Sequence, residues 1–432
     1  MLNNFSFGNR AGAMRRPAGT GRLLWFSLLA PWTAHAGSLA DALAEGNLDF
    51  QVRPRYESVS QDGKVYNADA FTMRTLLGYS VAPVSSFGGK LEFINVSNLG
   101  PNHFNSTENG QTAYPVVADP SVNGVNQAYL DYVGLPGTKM RVGRQVIILD
   151  NSRFVGNVDF RQDMQTFDAL SLLNGSIPDT ELFASHITHT KGSYANYQVP
   201  VGYNLQPVNV NLLHATYTPL PGTRLSAYDY LYRDDSVVPG SPADISNATE
   251  GLRLDGSHSA GGFDLLYTAE YARQHGYGGG HAGIDANYEF LGGGARLGGF
   301  YGRLDYERLG SNASGTYGLQ TPLATKHPFN GWADMFLVTP GKGLRDTFAT
   351  LGAASGKLSV QGMAHDFRAA FDSTRYGSEW DISCVYAIDA HLSASLIYAD
   401  YAARDGANAL LPGTAVPNVN TRRTWLTLVY NY

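Results

Sequence analysis

From Leu48 to the C-terminus, apolar and polar residues alternate in short runs. In Leu48–Glu57, Leu48, Phe50, Val52, Pro54 and Tyr56 fall on one side, and Asp49, Gln51, Arg53, Arg55 and Glu57 on the other. Side chains alternate across a strand, so each run predicts a strand with one apolar and one charged face. Phe71–Val81 sets Phe71, Met73, Thr75, Leu77 and Tyr79 against Thr72, Arg74, Gly78 and Ser80. Phe263–Gln274 opposes Phe263, Leu265, Tyr267 and Tyr271 to Asp264, Thr268, Glu270 and Gln274. Tight gaps fall at Pro83–Gly88, Gly134–Gly137, Gly175–Pro178, Pro219–Gly222, Ser259–Gly261, Gly292–Gly294, Ser355–Lys357 and Ile388–Ala390. Long gaps such as Asn98–Gly124, Asp150–Gln165, Lys191–Pro207 and Arg308–Arg345 alternate with them. The rhythm predicts an all-β fold: a transmembrane antiparallel barrel of about 18 strands, with short periplasmic turns and long extracellular loops.

Charge decides which face meets lipid. An arginine at mid-bilayer on the lipid side costs about 2–4 kcal/mol, so the apolar face is outward and the charged face lines an enclosed lumen. Most segments have the roughly 9–11 residues that a tilted spanning strand needs; Ala295–Glu307 runs longer. Tyr79, Tyr217, Tyr228, Tyr230, Tyr232, Tyr398 and Tyr401 gather at segment ends, as interfacial girdles require. The chain finishes with Thr424, Leu426, Leu428, Tyr430 and Tyr432 at alternate positions. That aromatic ending fits a last strand read by the barrel-assembly machinery, and on a soluble edge strand it would invite aggregation.

Arg10, Arg15, Arg16 and Arg22, the apolar stretch Leu23–Trp32 and the small residues Ala34 and Ala36 predict a secretory signal peptide over 1–36. The barrel then occupies 37–432. Downstream no apolar run approaches the roughly 20 residues of a transmembrane helix. The net charge of −6 becomes more negative once the leader's arginines are gone, which argues against nucleic acid as a partner. Cys384 is the single cysteine, so neither an internal disulfide nor a thiolate metal cluster is available. Its parity places it on the lipid face. The predicted location is the bacterial outer membrane, with lipid as the outer partner.

A barrel of this size encloses an aqueous channel that wall side chains alone do not fill. Arg53, Arg55, Arg74, Arg141, Arg144, Arg153, Arg161 and Arg303 are the candidate pore-lining and solute-binding residues. Guanidiniums in series can hand a carboxylate from site to site; the alternative is that they pair with lumen acids such as Glu57, Asp131, Asp168, Asp229, Glu270, Asp305 and Glu307 and pin the barrel's shape. Arg141 and Arg144 are three residues apart, so both face inward only if a bulge intervenes. Two loops carry apolar clusters that need somewhere to pack. Phe154 and Phe160 mark Asp150–Gln165; Phe329, Asn330, Trp332 and Asp334 mark Lys326–Arg345. These six are the candidate constriction residues. Asn98–Gly124 is polar and reads as a lid or a surface loop.

Val142–Leu170, Thr325–Thr347 and Asn126–Tyr132 resemble stretches of the bacterial alginate-export outer-membrane family. The resemblance implies an 18-stranded barrel that passes an anionic polysaccharide through a positive, loop-gated pore. Arg144, Asn151, Arg153, Phe154, Asn157, Arg161 and Gln162 match the first stretch, and Phe329, Asn330, Trp332, Asp334 and Asp346 the second. The expected function is passive diffusion or export of hydrophilic, anionic solutes, either alginate-like polymer or smaller carboxylates. The alternatives are an unselective general porin and an outer-membrane enzyme barrel. Against an enzyme, no G-x-S-x-G or H-E-x-x-H is present, and His186 and His189 share a strand face only if a bulge intervenes. The expectation is a channel with no catalytic residues, metal or cofactor.

Overall fold

The computed structural model describes residues 38–193, 205–404 and 419–432; the expected leader, 1–36, lies outside them. A six-residue helix, α1 (Leu39–Ala44), is capped by Ser38. Eighteen strands follow: β1 (Asn47–Gln61), β2 (Ala68–Val84), β3 (Phe87–Asn98), β4 (Val122–Leu135), β5 (Thr138–Gln145), β6 (Thr166–Asn174), β7 (Thr180–Lys191), β8 (Leu205–Leu220), β9 (Thr223–Asp234), β10 (Asn247–Ala260), β11 (Phe263–Gly276), β12 (Asp285–Leu297), β13 (Phe300–Leu309), β14 (Leu344–Ser355), β15 (Leu358–Arg368), β16 (Arg375–Ala387), β17 (Leu392–Ala403) and β18 (Thr421–Asn431). Each pairs antiparallel with its sequence neighbours, and β1 pairs with β18, so the sheet closes without an edge. Closure satisfies every backbone ladder without solvent, which a membrane wall requires.

Connections after odd-numbered strands are long and those after even-numbered strands are short. The alternating faces fall as the pattern requires. Arg53, Arg55, Glu57, Arg74 and Glu270 are buried inside, while Leu77, Leu252, Leu291 and Leu351 stand exposed outside. Cys384 shares the outward parity of Trp380 and Ile382. The outward band of aliphatic side chains is a lipid-contacting surface.

Gly292–Gly294 is not a turn. These glycines lie inside β12, and the chain reverses at residues 298 and 299, with Gly298 at φ +56. The long segment Ala295–Glu307 is therefore no single strand: it joins the end of β12, the turn and most of β13. A Cβ on Gly292 would run into the Asp305 carboxylate and the Arg303 guanidinium, which lie across it from β13. The glycines thus make room for an inward ion pair. Gly292→Val is expected to lower stability by about 1–3 kcal/mol through overpacking. The check is an earlier midpoint in urea unfolding of the detergent-solubilised barrel.

The girdle assignment fails for four tyrosines. Tyr228, Tyr230, Tyr232 and Tyr401 are buried and point inward, whereas Tyr217 is 49% exposed outside. In β9 the outward parity belongs to Leu225, Ala227, Asp229 and Leu231. Position at a strand end does not choose a face; register does. Asp229, expected in the lumen, accordingly faces outward opposite Glu250.

Nor is the lumen an open aqueous tube along its whole length. Residues 146–165 and 310–343 fold into its extracellular half. Ile147, Val155, Leu323, Trp332, Met335 and Phe336 from these loops form one core with inward wall residues that include Phe167, Val210, Tyr288, Phe367 and Trp425. The loop at 99–121 is packed too: Phe104 and Val117 bury against Val59, Ala68 and Ala70.

Candidate functional site

The two inward loops dock on each other before they meet the wall. Val155 and Leu323 form a parallel bridge. Thr325 N donates to Ser152 O at 3.0 Å, and Thr325 Oγ1 accepts from Val158 N at 2.9 Å. Val158 has φ +53, a left-handed conformation that is strained for a β-branched residue. The contacts on both sides of it hold the chain there.

Below the tip of the first loop lies a cluster of wall arginines. Arg53 Nη1 donates to Asp159 O at 2.7 Å, Arg55 Nη1 to Phe160 O at 2.5 Å, and Arg74 Nη1 to Asp159 Oδ1 at 2.7 Å. Gln162 completes the clasp, accepting from Arg53 Nε at 3.0 Å and donating to Thr72 Oγ1 at 3.0 Å. The expected ladder residues Arg53, Arg55 and Arg74 are thus brought together: Arg53 and Arg55 grip the loop's carbonyls, and Arg74 grips its Asp159 carboxylate. Asp159 is the one carboxylate within salt-bridge distance of Arg53 or Arg74 among the described residues, and none is that close to Arg55. Burial opposes ionisation of Asp159, but Arg74 and Arg53 outweigh it and hold the carboxyl below its usual range.

A second anchor fixes both loops. Arg161 Nη2 lies 2.7 Å from Asp334 Oδ2, and its Nη1 lies 3.1 Å from Glu57 Oε2. Arg423 Nη1 reaches Glu57 Oε1 at 3.0 Å. His327 Nδ1 is 2.8 Å from Asp334 Oδ1, and its ring stacks on Phe160. Burial pushes the His327 imidazole below its usual range. For Asp334, burial acts upward, yet His327 and Arg161 hold the carboxyl well below the carboxylate range.

A third anchor is richer in acid. Arg153 Nε lies 2.8 Å from Glu307 Oε1, and Arg153 Nη2 donates to Asn330 Oδ1 at 2.8 Å. Asn330 Nδ2 donates to Glu307 at 2.6 Å, and Ala333 N donates to Glu379 at 2.7 Å. Asn330 and Gly331 both take positive φ, and a Cβ on Gly331 would strike the Glu379 carboxylate. Phe154 packs on Tyr228 and Tyr288, with centroids 5.4 and 5.2 Å away; Arg153 lies 4.7 Å from the Phe329 ring.

Arg141 and Arg303 also face inward, each against an acid: Arg141 is bidentate to Asp131 at 2.7 and 2.9 Å, and Arg303 lies 2.7 Å from Asp305. Arg144 does not line the pore. It takes the outward face of β5, bidentate to Asp168 at 2.7 and 2.9 Å, so Asp168 is no lumen acid either. No bulge interrupts β5 against β6, and strict alternation sends Arg141 and Arg144 to opposite sides. In β7 a register shift does set His189 opposite Asp168, yet His186 bonds Asn211 and His189 bonds Thr188.

A cavity of about 570 Å³ occupies the periplasmic half, reaching from the short turns to residues 146–150 of the first loop. Lys139, Arg141, Glu181, His214, Arg224 and Asp255 bring both signs of charge to its wall. At its roof Asp150 accepts from Ser226 Oγ at 2.7 Å and lies 2.8 Å from His214 Nε2. Burial raises and His214 lowers the Asp150 pKa, with a net result of about 2. The serine is bonded to the acid rather than to the imidazole, so the trio is not a nucleophile–base pair. No group of three or more His, Cys, Asp or Glu positioned to hold a metal occurs among the described residues. Sequence reasoning missed Asp150–His214 and Glu379. Their partners come from distant parts of the chain, and only the alternation parity of Glu379 hinted at an inward role.

Solved structures share this architecture. Pseudomonas aeruginosa OpdK with vanillate superposes with a TM-score of 0.67 at 14% identity, covering 90% of this chain and 99% of that one. A BenF-like porin from Pseudomonas fluorescens Pf-5 gives 0.68 at 11%, covering 90% and 99%. Acinetobacter baumannii OccAB4 gives 0.67 at 13%, covering 90% and 98%. The chain has the fold of an outer-membrane porin. No family model and no curated protein matches this chain's sequence, so support for the alginate-export resemblance reaches the barrel and no further.

Proposed function

We propose that the porin is a passive outer-membrane channel for small hydrophilic solutes, with a preference for carboxylates. The carrying observation is the Arg53–Arg55–Arg74 cluster, three buried guanidiniums beneath an inward loop, with Asp159 the one carboxylate within salt-bridge distance of Arg53 or Arg74 and none that close to Arg55 among the described residues. An excess of positive charge at low dielectric favours an anion in its neighbourhood. A crystallised relative by fold, OpdK, was solved with vanillate, an aromatic carboxylate of the size the cavity admits. Export of an anionic polysaccharide is the second reading. It requires both loops to leave the core that they share with the wall. Among the described residues no arrangement favours the enzyme reading.

Bilayer recordings across a salt gradient test the preference. The wild type is expected to give a reversal potential of anion-selective sign, and Arg53→Gln/Arg55→Gln/Arg74→Gln to move it towards zero. Liposome swelling should be faster with an aromatic monocarboxylate than with a neutral sugar of similar mass. Cation selectivity, or equal swelling rates, would remove the carboxylate preference. Rapid passage of long uronate oligomers would instead favour polymer export.

A further inference from the structure

The extracellular ends of β13–β16 carry a lateral row of arginines on the outer face. Arg308 opposes Arg345, Arg345 opposes Arg368, and Arg368 opposes Arg375. Their neighbours Glu307, Asp346 and Phe367 are buried inside, which sends 308, 345 and 368 outward. Arg375 reaches the same side, with its Nε 2.9 Å from Asp366. Like charges directly opposite each other destabilise a sheet. Here the repetition runs over three successive strand pairs and spans roughly 14 Å at the usual strand spacing.

The carboxylates nearby fall short of neutralising it. Glu289 takes Arg308 at 2.8 Å, and Asp366 is shared between Arg368 at 2.7 Å and Arg375. Lys342 just above adds no excess, since it pairs with Asp372. The Arg345 side chain, in the middle of the row, has no ion-pair or hydrogen-bond partner among the described residues. Directly below, on the same strands, Leu304 and Leu351 are each 71% exposed on the lipid-facing side. The row therefore sits where headgroups meet hydrocarbon.

The geometry points to a phosphorylated glycolipid of the outer leaflet as the occupant of this surface. Its phosphates lie across Arg308, Arg345, Arg368 and Arg375, and its acyl chains run over Leu304 and Leu351. Phosphate oxygens match the planar fork of a guanidinium, and the weak hydration of arginine suits a site half in lipid. The apolar wall below selects an amphiphile over a free anion.

The test titrates purified full-length barrel in neutral detergent with bisphosphorylated lipid A, with its dephosphorylated form and with inorganic phosphate. Bound lipid is counted by native mass spectrometry. The bisphosphorylated lipid is expected to bind at least about tenfold more tightly than the dephosphorylated form, the worth of one charged hydrogen bond. Arg345→Gln/Arg368→Gln should lose most of that advantage. Arg233→Gln, whose arginine pairs with Asp235 away from the row, should bind like wild type. Heat-modifiable gel mobility verifies each variant's fold. Should the double variant not fold, Arg345→Gln alone decides, because it breaks no existing contact. Equal binding of the dephosphorylated lipid, free phosphate binding as tightly as the lipid, or wild-type binding by the row variant would each overturn the assignment.

Discussion

The Asp334→Ala variant is expected to conduct several-fold more current than wild type, with its second inward loop undocked. Asp334 is the carboxylate that joins the two loops: Arg161 comes from the first, His327 from the second, and Glu57 and Arg423 behind them belong to the wall. Removing one member of a buried ion pair costs about 3–5 kcal/mol, because the other charge stays buried without its partner. That is comparable to what holds a surface loop in place, so the loss should show as a change of state rather than a small shift. Single-channel conductance in planar bilayers is the measurement, and unchanged conductance would count against docking through this residue.

The pH dependence of the same anchor has a definite sign. Burial works against the charge on Asp334, but His327 and Arg161 outweigh it and hold the folded-state carboxyl well below the carboxylate range. A depressed acid contributes its full stabilisation above its unfolded pKa of about 4 and loses it as pH falls through the folded value. Wild-type conductance should therefore stay level from neutral pH down to about pH 5, above that window. A stepwise rise in conductance within this range would show that another group controls the loop.

Trp332→Ala carries the second large effect. The indole is 1% exposed and belongs to the core that loop and wall share. Truncating a buried tryptophan costs about 3–5 kcal/mol. The sheet's ladder and outward face do not involve this residue, so the loss falls on loop docking. The variant should remain a heat-resistant barrel while residues 310–343 become cleavable by added protease. Resistance equal to wild type would show that the anchors at Asp334 and Glu307 hold the loop without the indole.

Much of the wall was legible. Alternation in Leu48–Glu57 and Phe71–Val81 set the faces of β1 and β2, and the gap rhythm set the strand count. Gly292–Gly294 misled because glycine marks both reversals and positions where a neighbouring side chain crosses the strand. Tyr228, Tyr230 and Tyr232 misled for a related reason: aromatic residues suit a membrane interface and a packed interior equally well. Phe154 and Trp332 were legible as residues that needed burial, though not as to where.

By itself the sequence determined a closed antiparallel wall with lipid outside, since a two-residue period and a costly charge in hydrocarbon leave one orientation. Only the tertiary structure decided what fills the lumen. Contacts such as Arg53 to Asp159, Arg161 to Glu57 and Glu379 to Ala333 join residues far apart in the chain. Such pairings depend on how loops fold back through three dimensions, and no periodicity along a strand records them.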